Sequence, residues 1–224
     1  MFDRTIVGAA APVILIDSPT RPRCKPPARI AARTQFIFHG ATRPSGLRIV
    51  DGCIALFQEL ADGRRLILDI LGPGKEVSAE LLDLRQCKAI TLTSTQIETI
   101  ESLREPSSLE GALRQMLCRA QEHALLLGRK TAVERVASAI LDLAAQFTRR
   151  RRNTAGGRAT FTLFLTRADL ADWLGLTLET VSRCFGVLKR SKLIAFDQPE
   201  RITIRDRAAL EAIALGRAGR HAQI

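Results

Sequence analysis

The sequence predicts an α+β fold: a β-sandwich or barrel in the N-terminal half, then helices, ending in a winged helix-turn-helix. Three observations carry this expectation. Short β-like runs separated by Gly, Pro and Asp fill the stretch from Phe36 to Ile100. A helix with heptad spacing follows Pro106. Between Thr166 and Lys189 two capped helical segments flank a Gly-containing turn, with a β-hairpin pattern beyond them.

The β-like runs are Phe36–His39, Leu47–Val50, Cys53–Leu60, Arg64–Ile70 and Ala89–Leu92. Many short strands with regular turn signals indicate a sandwich or barrel. Asp62-Gly63 is the strongest local signal, because this dipeptide accepts the positive φ angles of a type I′ hairpin turn. Upstream, Ile6–Ile16 is apolar but only 11 residues long and broken by Pro12. It is too short to span a bilayer, and Asp17 follows without a convincing small-residue cleavage site. It is read as N-terminal structure, within an extension set at residues 1–30; the β-rich domain is set at 31–105.

After Pro106, Ser107 or Ser108 is available as N-cap, with Glu110 close behind. Leu109, Leu113, Met116, Ala120, His123 and Leu127 then recur at spacings of 4, 3, 4, 3 and 4. Such a seam packs either on its own domain or on a partner helix. A second helix over Thr131–Phe147 places Val133, Val136, Ala137, Ile140, Leu141 and Ala144 on one stripe. Arg149–Arg152 and the polar, Gly-rich residues after them read as a linker or exposed loop.

The most informative stretch is Leu165–Ile204. Thr166 can cap a helix and Asp169 can return the hydrogen bond as a capping box, while Leu170, Trp173 and Leu174 supply the buried side. Gly175-Leu176 breaks this helix and Thr177 caps the next, Leu178–Lys189, completing a helix-turn-helix. At helical spacing Leu178, Val181, Phe185 and Leu188 share one side, and Glu179, Arg183, Gly186 and Arg190 lie roughly opposite. Arg183 can give two donors to a guanine edge, Glu179 can accept from a cytosine amino group, and Ser182 is a small adaptable contact beside them. Glu179 and Arg183 also have the spacing of an ordinary i,i+4 surface pair. Beyond the helix, Lys189, Arg190 and Lys192 form a basic corner; Leu193–Phe196 and Arg201–Ile204 then flank a turn as a wing.

Charge agrees with a nucleic-acid partner. The formal net charge is +11, and residues 129–224 hold 18 Lys+Arg against 9 Asp+Glu. A local positive excess suits a polyanion, because neutralising phosphates releases condensed counterions. Five dispersed Cys fit a reducing cytoplasm better than a disulfide framework. An enzyme finds little support: three scattered His, no Tyr, no Gly-rich phosphate loop and no metal-ligand spacing. A winged helix used for protein contacts is the third class considered.

Leu174-Gly175-Leu176-Thr177-Leu178-Glu179-Thr180-Val181-Ser182-Arg183 resembles the Crp/Fnr family of transcription regulators, on its Fnr/FixK side. The likeness extends to Arg129–Ala137 and to Ala61-Asp62-Gly63-Arg64-Arg65, covering about residues 35–215. It implies a β jelly-roll sensor domain like those that bind cyclic nucleotides, a long dimerisation helix over 106–128 and a DNA-binding domain over 129–224. It further implies a homodimer joined along Leu109, Leu113, Met116, Ala120, His123 and Leu127. Glu179, Ser182 and Arg183 would read TTGA-like half-sites of a palindromic promoter site in double-stranded DNA. Thr166, Thr177, Thr180, Lys189, Arg190 and Lys192 complete the expected DNA-binding set. One surface would contact RNA polymerase, as in an activator, and no membrane is involved.

No cofactor is expected. Gly72-Pro73-Gly74-Lys75-Glu76 followed by Arg85-Gln86-Cys87 lacks a recognisable cyclic-nucleotide cassette, although Arg85 could meet an anion. Cys24 stands alone where the iron–sulfur proteins of the family hold a close Cys group, and Cys53, Cys87, Cys118 and Cys184 are dispersed. No motif supports haem on His39 or His123. Two readings of regulation follow: activity that tracks protein abundance, as in some FixK-like proteins, or a response through an unidentified effector or Cys184. In basic surroundings a Cys184 thiolate would be favoured, and its oxidation would weaken DNA binding; the plainer reading is a semi-buried small residue.

Overall fold

A computed structural model describes residues 13–16, 27–38, 46–78, 87–100, 106–148 and 159–217. The first part contains β1 (Val13–Ile16), β2 (Ala28–Ile30), β3 (Gln35–Phe38), β4 (Gly46–Asp51), β5 (Ile54–Glu59), β6 (Arg65–Leu71), β7 (Glu76–Ser78), β8 (Lys88–Thr91) and β9 (Thr95–Ile100). Then come α1 (Pro106–Arg129), α2 (Ala132–Phe147), β10 (Ala159–Thr162), α3 (Arg167–Leu174), α4 (Leu178–Arg190), β11 (Ile194–Gln198), β12 (Arg201–Ile204) and α5 (Arg207–Ala214).

This is the expected α+β architecture, a jelly-roll sandwich followed by a winged helix-turn-helix. One sheet has the order β1-β3-β8-β5-β6 and the other β2-β9-β4-β7. Strand β1 runs parallel to β3, so Val13–Ile16, in the stretch read as N-terminal structure, is paired into the first sheet. Alternation along β5 builds two cores. Ile54 and Leu56 meet Ile30, Leu47, Ile49 and Ile97 inside the sandwich. Ala55 and Phe57 point to the other face, where with Ile67 and Ile70 they join Val136, Ile140, Leu143 and Trp173 in one contiguous cluster. The sandwich and the helical C-terminal half therefore share an apolar core.

The β5–β6 connection differs from the expected type I′ turn, in which both central residues take positive φ. Gly63 alone does so, at φ 83°. Its N–H donates to Leu60 O, and Leu60 N–H donates to Arg64 O. This longer connection places its single left-handed residue at the glycine, and Asp62 instead accepts from Arg64 N–H.

Helix α1 begins at Pro106, so Ser107 and Ser108 fall inside its first turn rather than capping it. Proline suits that start, since its missing N–H would have no helical partner there. The expected seam along α1 divides. Leu113 and Ala120 are exposed and Met116 is half-buried. His123 and Leu127 turn toward their own chain: His123 Nε2 donates to Trp173 O at 2.8 Å, and Leu127 packs on the shared core. Leu109 lies where only the backbone is described. The exposed apolar stripe is instead Leu113, Leu117, Ala120 and Ala124. The cause is internal packing, because Arg119 on the opposite side is drawn to Asp69 of β6.

Candidate nucleic-acid interface

The helix-turn-helix is assembled by caps at both of its helices. Asp169 N–H donates to Thr166 Oγ1 at 3.1 Å and Thr166 N–H to Asp169 Oδ2 at 2.9 Å, the expected capping box of α3. Leu170, Trp173 and Leu174 are buried as expected. Gly175 ends the helix at φ 59°, a backbone state in which a Cβ would be strained. Thr177 caps α4, accepting from Thr180 N–H at 3.1 Å, and its hydroxyl also pairs with that of Thr180 at 2.8 Å.

Helix α4 has the two expected faces with one correction. Val181, Cys184, Phe185 and Leu188 are buried, but Leu178, assigned to the same side, is 54% exposed. It occupies the first helical position, before the buried stripe begins at Val181. An exposed leucine beside Glu179 was therefore missed as a candidate contact; its place directly after the N-cap was the available signal. Glu179, Ser182 and Arg183 are all exposed, and Arg183 Nη2 donates to Glu179 Oε1 at 2.5 Å. The i,i+4 pair thus forms on the outward face, which leaves it free to contact a groove.

At the far end of α4, Lys189, Arg190 and Lys192 are exposed as a basic corner. Lys192 lies at φ 58°, where glycine is the usual occupant after a helix. The wing sheet has the order β10-β12-β11. It is joined to α4 by the Phe185–Phe196 ring pair at 5.7 Å between centroids.

Arg167, at the start of α3, is a second residue the sequence did not single out. Its guanidinium carbon lies 3.7 Å from the Phe185 ring centroid and 5.3 Å from that of Phe196. Its Nη1 is buried and has no hydrogen-bond partner among the described residues, and burial lowers its pKa. Arginine stacks readily on aromatic faces.

Cys184 is 4% exposed, and burial pushes its thiol pKa up. The expectation of a favoured thiolate is thereby corrected, because desolvation by burial disfavours the charged form. In the sandwich, Glu76 of the Gly72–Glu76 segment accepts from Arg48 at 2.6 Å. Cys24, His39 and Arg85 lie outside the described residues. Among the described residues no group of three or more His, Cys, Asp or Glu is placed to hold a metal ion, and no helix is long and apolar enough to cross a membrane.

Sandwich, helix-turn-helix and wing together define a DNA-binding transcription regulator of two-part design. Residues 134–213 match the family model of the Crp-like helix-turn-helix domain. The chain is 36% identical over 176 residues to the nitrogen fixation regulation protein FixK of Azorhizobium caulinodans, covering 74% of this chain and 69% of that one. It is 35% identical over 175 residues to the transcriptional activator protein FnrL of Cereibacter sphaeroides, covering 72% and 69%. The structure of FixK2 from Bradyrhizobium japonicum matches with a TM-score of 0.71 at 25% identity, covering 84% of this chain and 96% of that one. The chain belongs to the Crp/Fnr family and is FixK-like.

Proposed function

We propose that the protein is a cytoplasmic homodimer that binds an inverted repeat of TTGA-like half-sites and activates transcription through contact with RNA polymerase. It acts as a regulator and not as an enzyme. Glu179, Ser182 and Arg183 read base edges in the major groove; Thr166, Thr177, Thr180, Lys189, Arg190 and Lys192 hold the DNA around them. The observation that carries this reading is the opposition of faces on α4: Val181, Phe185 and Leu188 buried, Glu179, Ser182 and Arg183 exposed. The exposed stripe Leu113, Leu117, Ala120 and Ala124 on α1 supports pairing with a second copy, since its spacing suits a helix–helix seam. Activity follows abundance rather than a bound effector, a reading supported by the apolar core that the sandwich shares with the DNA-binding half.

Fluorescence anisotropy of the purified protein, with no effector added, on a TTGA inverted repeat tests this. Arg183→Ala should cost about 1–3 kcal/mol of binding and relax discrimination at one base pair. Its melting temperature should hold, because an exposed i,i+4 pair contributes only about 0.3–0.5 kcal/mol. Unchanged discrimination at every base pair would remove Arg183 from the reading face.

A further inference from the structure

Helix α3 carries the recognition helix α4, and charged side chains of the sandwich hold it. Arg33, between β2 and β3, donates from Nη1 and Nη2 to the two carboxylate oxygens of Asp169 at 3.1 and 2.8 Å. Arg65, the first residue of β6, donates from Nη2 to Asp169 Oδ1 at 3.0 Å and from Nε to Asp172 Oδ2 at 2.9 Å. Asp169 also accepts from the Thr166 backbone and hydroxyl, so one carboxylate caps α3 and docks it.

Two features set this cluster apart from a surface ion pair. Asp169 is 2% exposed, so removing a guanidinium leaves a charge with neither water nor its full set of partners. Burial alone would raise the Asp169 carboxyl, but hydrogen bonds from Arg33 and Thr166 outweigh it and hold the group below its ordinary pKa. Arg33 also reaches Asp169 from a backbone at φ 59°; Lys192 is the other non-glycine at positive φ among the described residues. A residue kept in that region points to an imposed constraint. At its other end α3 is held from α1 and α2. His123 donates to Trp173 O, and Arg135 Nη1 donates to Leu174 O at 2.9 Å while its Nη2 donates to Leu127 O at 2.7 Å.

We propose that Arg33, Arg65, Asp169 and Asp172 form an ionic clamp by which the sandwich fixes the angle of the helix-turn-helix, and so the separation of the two recognition helices in the dimer. The inference rests on the dimeric DNA-binding reading above. Half-sites one helical turn apart lie roughly 34–36 Å centre to centre, and both are engaged together only if each α4 is already held at that spacing. With α3 freed, the second contact carries an ordering cost and its effective concentration falls. A single half-site does not sense this difference. Arg33 and Arg65 are positioning residues that act through α3.

The test uses full-length Arg33→Gln, Arg65→Gln, the double variant, and Arg65→Lys as the charge-conserving control, leaving the cap residue Asp169 intact. Anisotropy is read on the inverted repeat and on a duplex with one half-site scrambled, and hydrogen exchange is followed along α3. The double variant should lose about tenfold on the inverted repeat, the scale of a lost bivalent advantage, with the half-site affinity unchanged. Exchange in α3 should quicken, and Arg65→Lys, which keeps the charge but not the fork to two carboxylates, should fall between wild type and Arg65→Gln in both readouts. A wild-type ratio between the two duplexes in the double variant, or equal losses on both, overturns the clamp. If the wild type binds neither duplex, the DNA reading falls. Exchange then decides the clamp: faster α3 exchange in the double variant, with Arg65→Lys less affected than Arg65→Gln, keeps it, and unchanged exchange overturns it.

Discussion

The guanidinium carbon of Arg167 rests 3.7 Å from the centre of the Phe185 ring, on the buried side of the recognition helix. The stack fixes the direction of a charge whose Nη1 has no hydrogen-bond partner among the described residues. Arg167 as a whole is half-buried, so a DNA phosphate would meet its guanidinium from the open side and not at Nη1. Arg167→Met should preserve apolar contact, raise the melting temperature by removing an unpaired buried charge, and weaken DNA binding equally across sequences. The slope of log K against log salt should fall by about 0.9, the value for one phosphate contact. A sequence-dependent loss would instead make Arg167 a base reader.

Leu178 is exposed at the first position of α4, the end of a recognition helix that contacts base edges. An apolar side chain there suits a thymine methyl group. Replacing half-site thymines by deoxyuridine should weaken wild-type binding, and Leu178→Ala should be insensitive to that replacement. Equal sensitivity of both proteins would place Leu178 away from the methyl group.

Lys192 keeps a long basic side chain where a left-handed backbone favours glycine. Lys192→Gly should stabilise the fold by up to about 1 kcal/mol by relieving that conformation. Its affinity for DNA should fall uniformly across sequences as a phosphate contact is lost. Chemical denaturation and anisotropy on the same preparations measure the two opposite changes. A loss of stability would show that Lys192 is held by something other than the turn.

Cys184 should resist thiol reagents in the folded protein, because burial both hides it and disfavours its thiolate. Cys118 is exposed on α1 and should be alkylated well before Cys184, as peptide mass mapping over time would record. Peroxide should therefore weaken DNA binding equally in wild type and Cys184→Ala. A selective loss in wild type would restore the redox role.

Local rules explain which parts were legible beforehand. The capping box of Thr166 and Asp169, the break at Gly175 and the cap at Thr177 depend on residues a few positions apart, and each forms as expected. So do the strands around Asp62-Gly63, although the turn type does not, because a dipeptide does not specify the length of its connection. Glu179, Ser182 and Arg183 were legible because the side opposite Val181 and Phe185 on a helix faces outward. Arg167 was not, since its aromatic partners lie 18 and 29 positions further along the chain.

Sequence alone determined the order of the parts, the helix-turn-helix and its outward face, for those follow from periodicity and short-range hydrogen bonding. Tertiary structure decided which side of α1 is free, because only packing shows that Arg119 and His123 are used internally. It also decided that Cys184 is buried, and that Asp169 does two tasks. A capping carboxylate is visible in four residues; that Arg33 and Arg65 meet it from more than 100 positions away depends on how the sandwich and α3 pack.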